Sequence, residues 1–144
     1  MEKKLFKSTR HINFADCDPA QIVFYPRFFE MFDRCTENMF RDVGFYWEVA
    51  HATTNYAGMP LIEVGANFHR PVRFGDTVEI HTWVDEVKGK VYVVRHQIHN
   101  KGVLSLEGRE VRCYAIKAPE HPSGIKAIPL PDELREKLLA KEPA

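Results

Sequence analysis

The chain has 144 residues, 44% hydrophobic and 12% aromatic, which suits one globular domain with a real core and excludes a disordered chain. Lys plus Arg and Asp plus Glu number 20 each, so the net charge is zero and neither nucleic acid nor an anionic membrane is indicated as a partner. No apolar run approaches the ~20 residues that span a bilayer, the first seven residues hold no apolar leader, and Cys17, Cys35 and Cys113, at unpatterned spacings, read as reduced thiols of a cytoplasmic protein.

Residues 5–14 alternate loosely and predict a strand. The run Phe14-Ala15-Asp16-Cys17-Asp18-Pro19-Ala20-Gln21-Ile22-Val23-Phe24-Tyr25-Pro26 follows, a short loop ending at a helix start. Beyond it Phe28, Phe32, Cys35, Met39 and Val43 recur in steps of three and four, one helical stripe. Phe29, Met31 and Phe40 widen the stripe, so this helix is expected to be buried on more than one side. Pro26 suits its first position and Gly44 its stop. A short second helix is expected at residues 46–51.

From Pro60 onward the pattern is that of strands. Leu61–Phe68 is one, a turn follows at Arg73-Phe74-Gly75-Asp76, and residues 77–87, 91–99 and 103–118 form three more. Reversals at Lys88-Gly89-Lys90 and Asn100-Lys101-Gly102 link these three into an antiparallel meander. The tail is Pro-rich at 119–131 and ends in a short helix, Asp132–Leu139, expected to be exposed. The whole reads as a single α+β domain, 1–144, with its core at 8–118. A helix as apolar as 28–43 needs a sheet that curls around it, which matches a hot-dog fold in coarse outline, while the residues alone give α+β and do not choose the exact topology.

The chemistry centres on Asp18. A helix N-terminus offers unpaired N–H groups and a partial positive charge, so an acid beside one is a candidate for attack on a carbonyl whose oxygen those donors hold. Taken alone, Asp18 ahead of Pro19 reads as an ordinary turn residue.

The string from Phe14 through Asp33 resembles the signature of the 4-hydroxybenzoyl-CoA thioesterase family of hot-dog proteins, in the branch with Asp-Cys-Asp-Pro-Ala ahead of Ile-Val, an aromatic and Tyr-Pro. The resemblance runs from about residue 8 to residue 118, with secondary matches at Gly58 and Pro60, at Phe68 with Gly75-Asp76, and at Arg95-His96. It implies hydrolysis of an acyl-CoA thioester. Asp18 would be the catalytic carboxylate, as nucleophile through an acyl-enzyme anhydride or as general base for water, and the Tyr25 backbone N–H would polarise the carbonyl. Asp33 would lie near an aromatic acyl ring. No cofactor is implied, since coenzyme A is part of the substrate. Active sites would sit at dimer interfaces, with two dimers commonly pairing into a homotetramer. An aryl-CoA such as 4-hydroxybenzoyl-CoA is the expected substrate. The alternatives are a short or medium aliphatic acyl-CoA, an acyl carrier protein thioester, or a hot-dog protein that binds acyl-CoA or scaffolds partners without hydrolysis.

Two departures from the branch stand out. Gln21 occupies a position where Gly is usual, and a larger residue there would alter the acyl pocket. Gly89 interrupts a turn that carries consecutive basic residues in the branch, which thins the cationic patch that Lys88 and Lys90, helped by Arg95 and Arg70, would offer to the CoA phosphates. Asp16 reads as a loop-stabilising acid, Glu63 as secondary, and Cys17, between two acids, as structural. Asp33 taken alone reads as an outward charge paired with Arg34 or set among Glu30 and Glu37. His96 and His99, three apart on a strand, should face opposite ways, which argues against a shared metal. His11, His69 and His81 read as ordinary positions, and no metal cluster is visible.

Overall fold

The computed structural model describes residues 3–140. Strand β1 (Phe6–His11) leads through a single 3-10 turn, Phe14–Asp16, and the Asp18 loop into helix α1 (Pro26–Asp42). Helix α2 (Trp47–Thr53) and strands β2 (Tyr56–Gly58) and β3 (Leu61–Phe68) follow. The meander is β4 (Thr77–Lys88), β5 (Val91–Asn100) and β6 (Val103–Lys117), and β7 (Ile125–Ile128) and helix α3 (Asp132–Leu139) close the chain. The seven strands form one antiparallel sheet in the order β1-β4-β5-β6-β2, with β3 and β7 also paired to β6.

Pleating decides which side chains meet the helix. Register rows run Ile80, Ile98, Leu106, then Thr82, His96, Gly108, then Val84, Val94, Glu110. All nine residues are buried. From α1, Phe28, Met31, Phe32, Cys35, Thr36, Met39 and Phe40 are buried against the sheet, so the predicted stripe is the one the fold uses. Burying each large side chain contributes ~1.5–3 kcal/mol. Phe32 lies so close to β6 that a Cβ added to Gly108 would come within 2.4 Å of its ring, so the glycine is there for space. Gly44, at φ +86°, ends α1 in the left-handed conformation that a C′ glycine adopts without steric cost.

Two expectations need correction. Helix α3 is not an exposed appendage: Leu134 and Leu138, one turn apart on its inner face, are buried beside Met39, Phe40, Tyr92 and Leu130. The short strands β2 and β7 escaped the sequence reading because three and four residues carry too little alternation to register.

Candidate active site

The loop between β1 and α1 is a tight hairpin. The Gln21 N–H donates to the Asp18 carbonyl at 2.9 Å and the Asp18 N–H to the Ile22 carbonyl at 3.0 Å, enclosing Pro19, Ala20 and Gln21. A three-residue hairpin loop of this kind places its last residue in the left-handed region, and Gln21 has φ +64°. A glycine would take this conformation freely, whereas Gln21 takes it at a steric cost. The hairpin is stitched to the 72–74 segment: Val23 N–H donates to the Val72 carbonyl at 2.8 Å, and Phe74 N–H to the Gln21 carbonyl at 3.0 Å.

Within this frame the two aspartates part company. Asp16 is buried, accepting from Arg10 Nη2 and from the Asn13 N–H, both at 2.9 Å, so it is a structural staple. Asp18 accepts only the Ala20 N–H, on Oδ1 at 2.8 Å, and Oδ2 carries no hydrogen bond among the described residues. One oxygen is fixed and the other is free. Burial, then the nearby carboxylates of Asp16, Asp18 and Asp76, push the Cys17 thiol up and disfavour a thiolate there.

Helix α1 begins at Pro26, with Tyr25 as its N-cap. Pro26 has no N–H to offer. Arg27 N–H donates to the Phe24 carbonyl at 2.9 Å and Phe28 N–H to the Tyr25 carbonyl at 3.1 Å. The Tyr25 N–H is the donor left without an acceptor among the described residues at this junction. Beside it opens a cavity of about 370 Å³ lined by Ile22, Val23, Tyr25, Phe28, Phe68 and Val72, with Arg70 adding a cation and His69 a further polar group at its wall. Its volume and largely apolar wall suit the organic part of a small ligand.

Other candidates lie elsewhere in the protomer. Asp33 is about 12 Å further along α1 by helical rise. It pairs with Arg112 Nη2 at 2.8 Å, not with its helix neighbours. Lys88 and Lys90 sit at the β4–β5 hairpin tip, roughly 35 Å of strand away from the loop end of β4. Arg95 lies on the outer sheet face, paired with Asp85 at 3.2 Å, in a separate cavity of about 560 Å³ that also holds Trp83 and Arg109. Glu63 pairs with Arg109 at 2.8 Å on the surface. His96 is buried and His99 faces the other side of the sheet, as their spacing predicts.

Sequence reasoning missed a buried polar cluster under α1. Glu110 and Arg112 share the strand parity of Leu106 and Tyr114, so their charges at core-facing positions of β6 were the available signal. Burial pushes the His96 imidazole below its ordinary value, although the neighbouring Glu110 carboxylate pulls it the other way, and its ring stacks on Phe32 at 4.7 Å. Burial alone would raise Glu110; hydrogen bonding and charge from His96 and Arg112 outweigh it and hold the carboxyl at about 2.

Against known proteins, the family model of the thioesterase-like superfamily matches residues 12–138. The 4-hydroxybenzoyl-CoA thioesterase of Pseudomonas sp. (strain CBS-3) is 27% identical over 133 residues, covering 88% of this chain and 92% of the relative. A solved aspartate-to-asparagine mutant of 4-hydroxybenzoyl-CoA thioesterase, complexed with 4-hydroxybenzoyl-CoA, aligns with a TM-score of 0.85 at 26% identity, over 94% of this chain and 99% of that one. A gentisyl-coenzyme A thioesterase aligns with a TM-score of 0.77 at 25% identity, over 92% and 98%. With a sheet wrapped on a central helix and a match that spans most of its length, the chain belongs to the thioesterase-like superfamily of thioester hydrolases on the hot-dog fold.

Proposed function

We propose that the protein hydrolyses an aryl-CoA thioester, 4-hydroxybenzoyl-CoA or a close relative of it, at the junction of the Asp18 loop and α1. One observation supports this reading: the loop that leads into α1 holds a carboxylate with one oxygen unengaged among the described residues and ends on a backbone N–H with no acceptor among them, which lines an apolar cavity. In the reaction the Asp18 carboxylate, or a water that it deprotonates, attacks the thioester carbon. Negative charge moves to the carbonyl oxygen, which the Tyr25 N–H receives. The tetrahedral centre collapses and the C–S bond breaks, expelling the CoA thiolate, which then takes up a proton. If Asp18 attacks directly, water hydrolyses the resulting anhydride and restores the carboxylate. A single oxyanion donor of this kind contributes ~10²–10³-fold.

The same reading makes the site composite. Among the described residues strand β3 pairs only with β6, and Leu61, Ile62, Val64 and Phe68 stand 46, 57, 40 and 52% exposed along it. An eight-residue apolar edge invites a further strand. The occupant we assign is a second copy, added antiparallel about a two-fold axis. Such pairing sets the Phe68 end of one β3, beside the Asp18 loop, against the Leu61 end of the other. Leu61 is in register with Arg112, the partner of Asp33, and Tyr92 in the same row leads to the Lys88–Lys90 turn. Asp18, Gln21 and Tyr25 of one copy would thus face Asp33, Lys88 and Lys90 of the other, with Asp33 toward the acyl ring and the lysines toward the CoA phosphates. Arg95 lies on the outer face, in a cavity separate from the one beside Tyr25.

Turnover over a panel of aryl- and alkyl-CoA esters, followed by thiol release, tests the reading. Hydroxyaryl esters are expected to lead the panel by kcat/KM. A preference for aliphatic chains would move the substrate class, and tight CoA binding without turnover would favour an acyl-CoA-binding role.

A further inference from the structure

Arg112 is 5% exposed, yet it reaches the surface of α1. Its Nη2 donates to Asp33 Oδ1 at 2.8 Å and to Glu110 Oε2 at 2.6 Å, while Nη1 donates to the Met59 carbonyl at 3.0 Å. Behind it, Glu110 Oε1 accepts from His96 Nε2 at 2.8 Å and from the Thr36 hydroxyl. His96 Nδ1 accepts from the Thr82 hydroxyl at 2.9 Å. Thr36, Thr82, His96, Glu110 and Arg112 are all at least 95% buried, whereas the Asp33 side chain is 58% exposed. The network therefore has one end in water, and that end is a carboxylate.

Stability is a poor explanation for it. Replacing a buried ion pair by apolar groups of similar volume is often neutral or stabilising, so such a pair is weak support for a stabilising role. Geometry is a better one. Arg112 serves two carboxylates and a backbone carbonyl at once, which needs the planar fork of a guanidinium and not the single point of an ammonium. It ties Asp33 on α1 to the Met59 backbone, two residues before β3. It also anchors Asp33 through Oδ1, leaving Oδ2 without a hydrogen bond among the described residues and aimed by a fixed partner.

We propose that Arg112 is a positioning residue for the acyl-binding corner: it sets the direction of the Asp33 carboxylate and its spacing from the start of β3, and Glu110 with His96 holds the guanidinium in place. This rests on the reading of Asp33 as an acyl-ring contact.

The test is the ratio of kcat/KM for 4-hydroxybenzoyl-CoA to that for benzoyl-CoA, measured in wild type, Asp33→Asn, Arg112→Lys, Glu110→Gln and the double variant Asp33→Asn/Arg112→Lys. Misplacing a contact group costs about tenfold to a hundredfold. Asp33→Asn and Arg112→Lys are both expected to lower the ratio by about tenfold or more, with the double variant no lower than the worse single one. A merely structural Arg112 would slow both substrates equally and leave the ratio intact, which overturns the proposal while the Asp33 contact stands. An unchanged ratio in Asp33→Asn removes the Asp33 contact and the proposal with it. If Arg112→Lys loses its fold by circular dichroism, the isosteric Glu110→Gln decides: a lowered ratio supports the positioning role and an unchanged ratio overturns it.

Discussion

Asp18 differs from Asp16, two residues earlier, in what its oxygens touch. Asp16 has both oxygens engaged, and Asp18 keeps one unengaged among the described residues. The intervening loop has Gln21 in the left-handed region, which costs a non-glycine residue ~1–2 kcal/mol. Gln21→Val should therefore lose about 1–2 kcal/mol in denaturant unfolding, because a β-branched residue fits that region worst, while Gln21→Gly should lose nothing. Equal stability of the two variants would contradict the backbone reading. A second residue-scale consequence concerns acid. His96 is pushed below its ordinary 6.5, so the unfolded chain takes up a proton first and stability falls as pH drops below 6.5. Glu110, held at about 2 against an ordinary 4.5, contributes stability in full above 4.5 and loses it as pH falls toward 2. Glu110→Gln should flatten the unfolding free energy between pH 4.5 and 2; an unchanged slope there would remove Glu110 from the acid response.

At the scale of elements, α1 and the meander were legible because each carries its own period over many residues. The 3–4 spacing runs through 17 residues of α1, and buried positions alternate through most of β4 and the second half of β5 between recognisable turns. Asp18 and Tyr25 could be put forward as candidates for a different reason: the loop, Pro26 and the family string concentrate in one short stretch. The Asp33 to Arg112 pair could not, since its members are 79 residues apart and only the sheet brings them together. Gly108 was equally silent. Its role depends on the Phe32 ring above it, and Gly108→Ala should cost about 1–3 kcal/mol through overpacking, read from thermal or denaturant unfolding. A variant as stable as wild type would show that Phe32 has room to move aside.

For the whole molecule, the exposed β3 edge governs the account. The described chain has the Asp18 loop at one end of β3, and the Asp33 pair and the lysine turn at the other. The proposed antiparallel pair of copies would bring the two ends together. Ile62, 57% exposed, is tolerant of change in the protomer but central to such a pair. Ile62→Lys is expected to weaken association by about 2–4 kcal/mol, roughly thirtyfold to a thousandfold. Sedimentation and turnover should fall together on dilution. A monomeric Ile62→Lys protein with full activity would show that the site is complete within one chain.

The central claim is that Asp18 carries out thioester hydrolysis, and one comparison tests it most directly: turnover of 4-hydroxybenzoyl-CoA by wild type and by Asp18→Asn, with circular dichroism and sedimentation on both. The substitution keeps the shape of the side chain and its acceptor for the Ala20 N–H, so fold and oligomeric state should persist. Turnover should fall on the order of 10³-fold or more, as it does when the reacting or proton-accepting group is lost elsewhere. A folded Asp18→Asn protein that turns over at the wild-type rate would contradict the account.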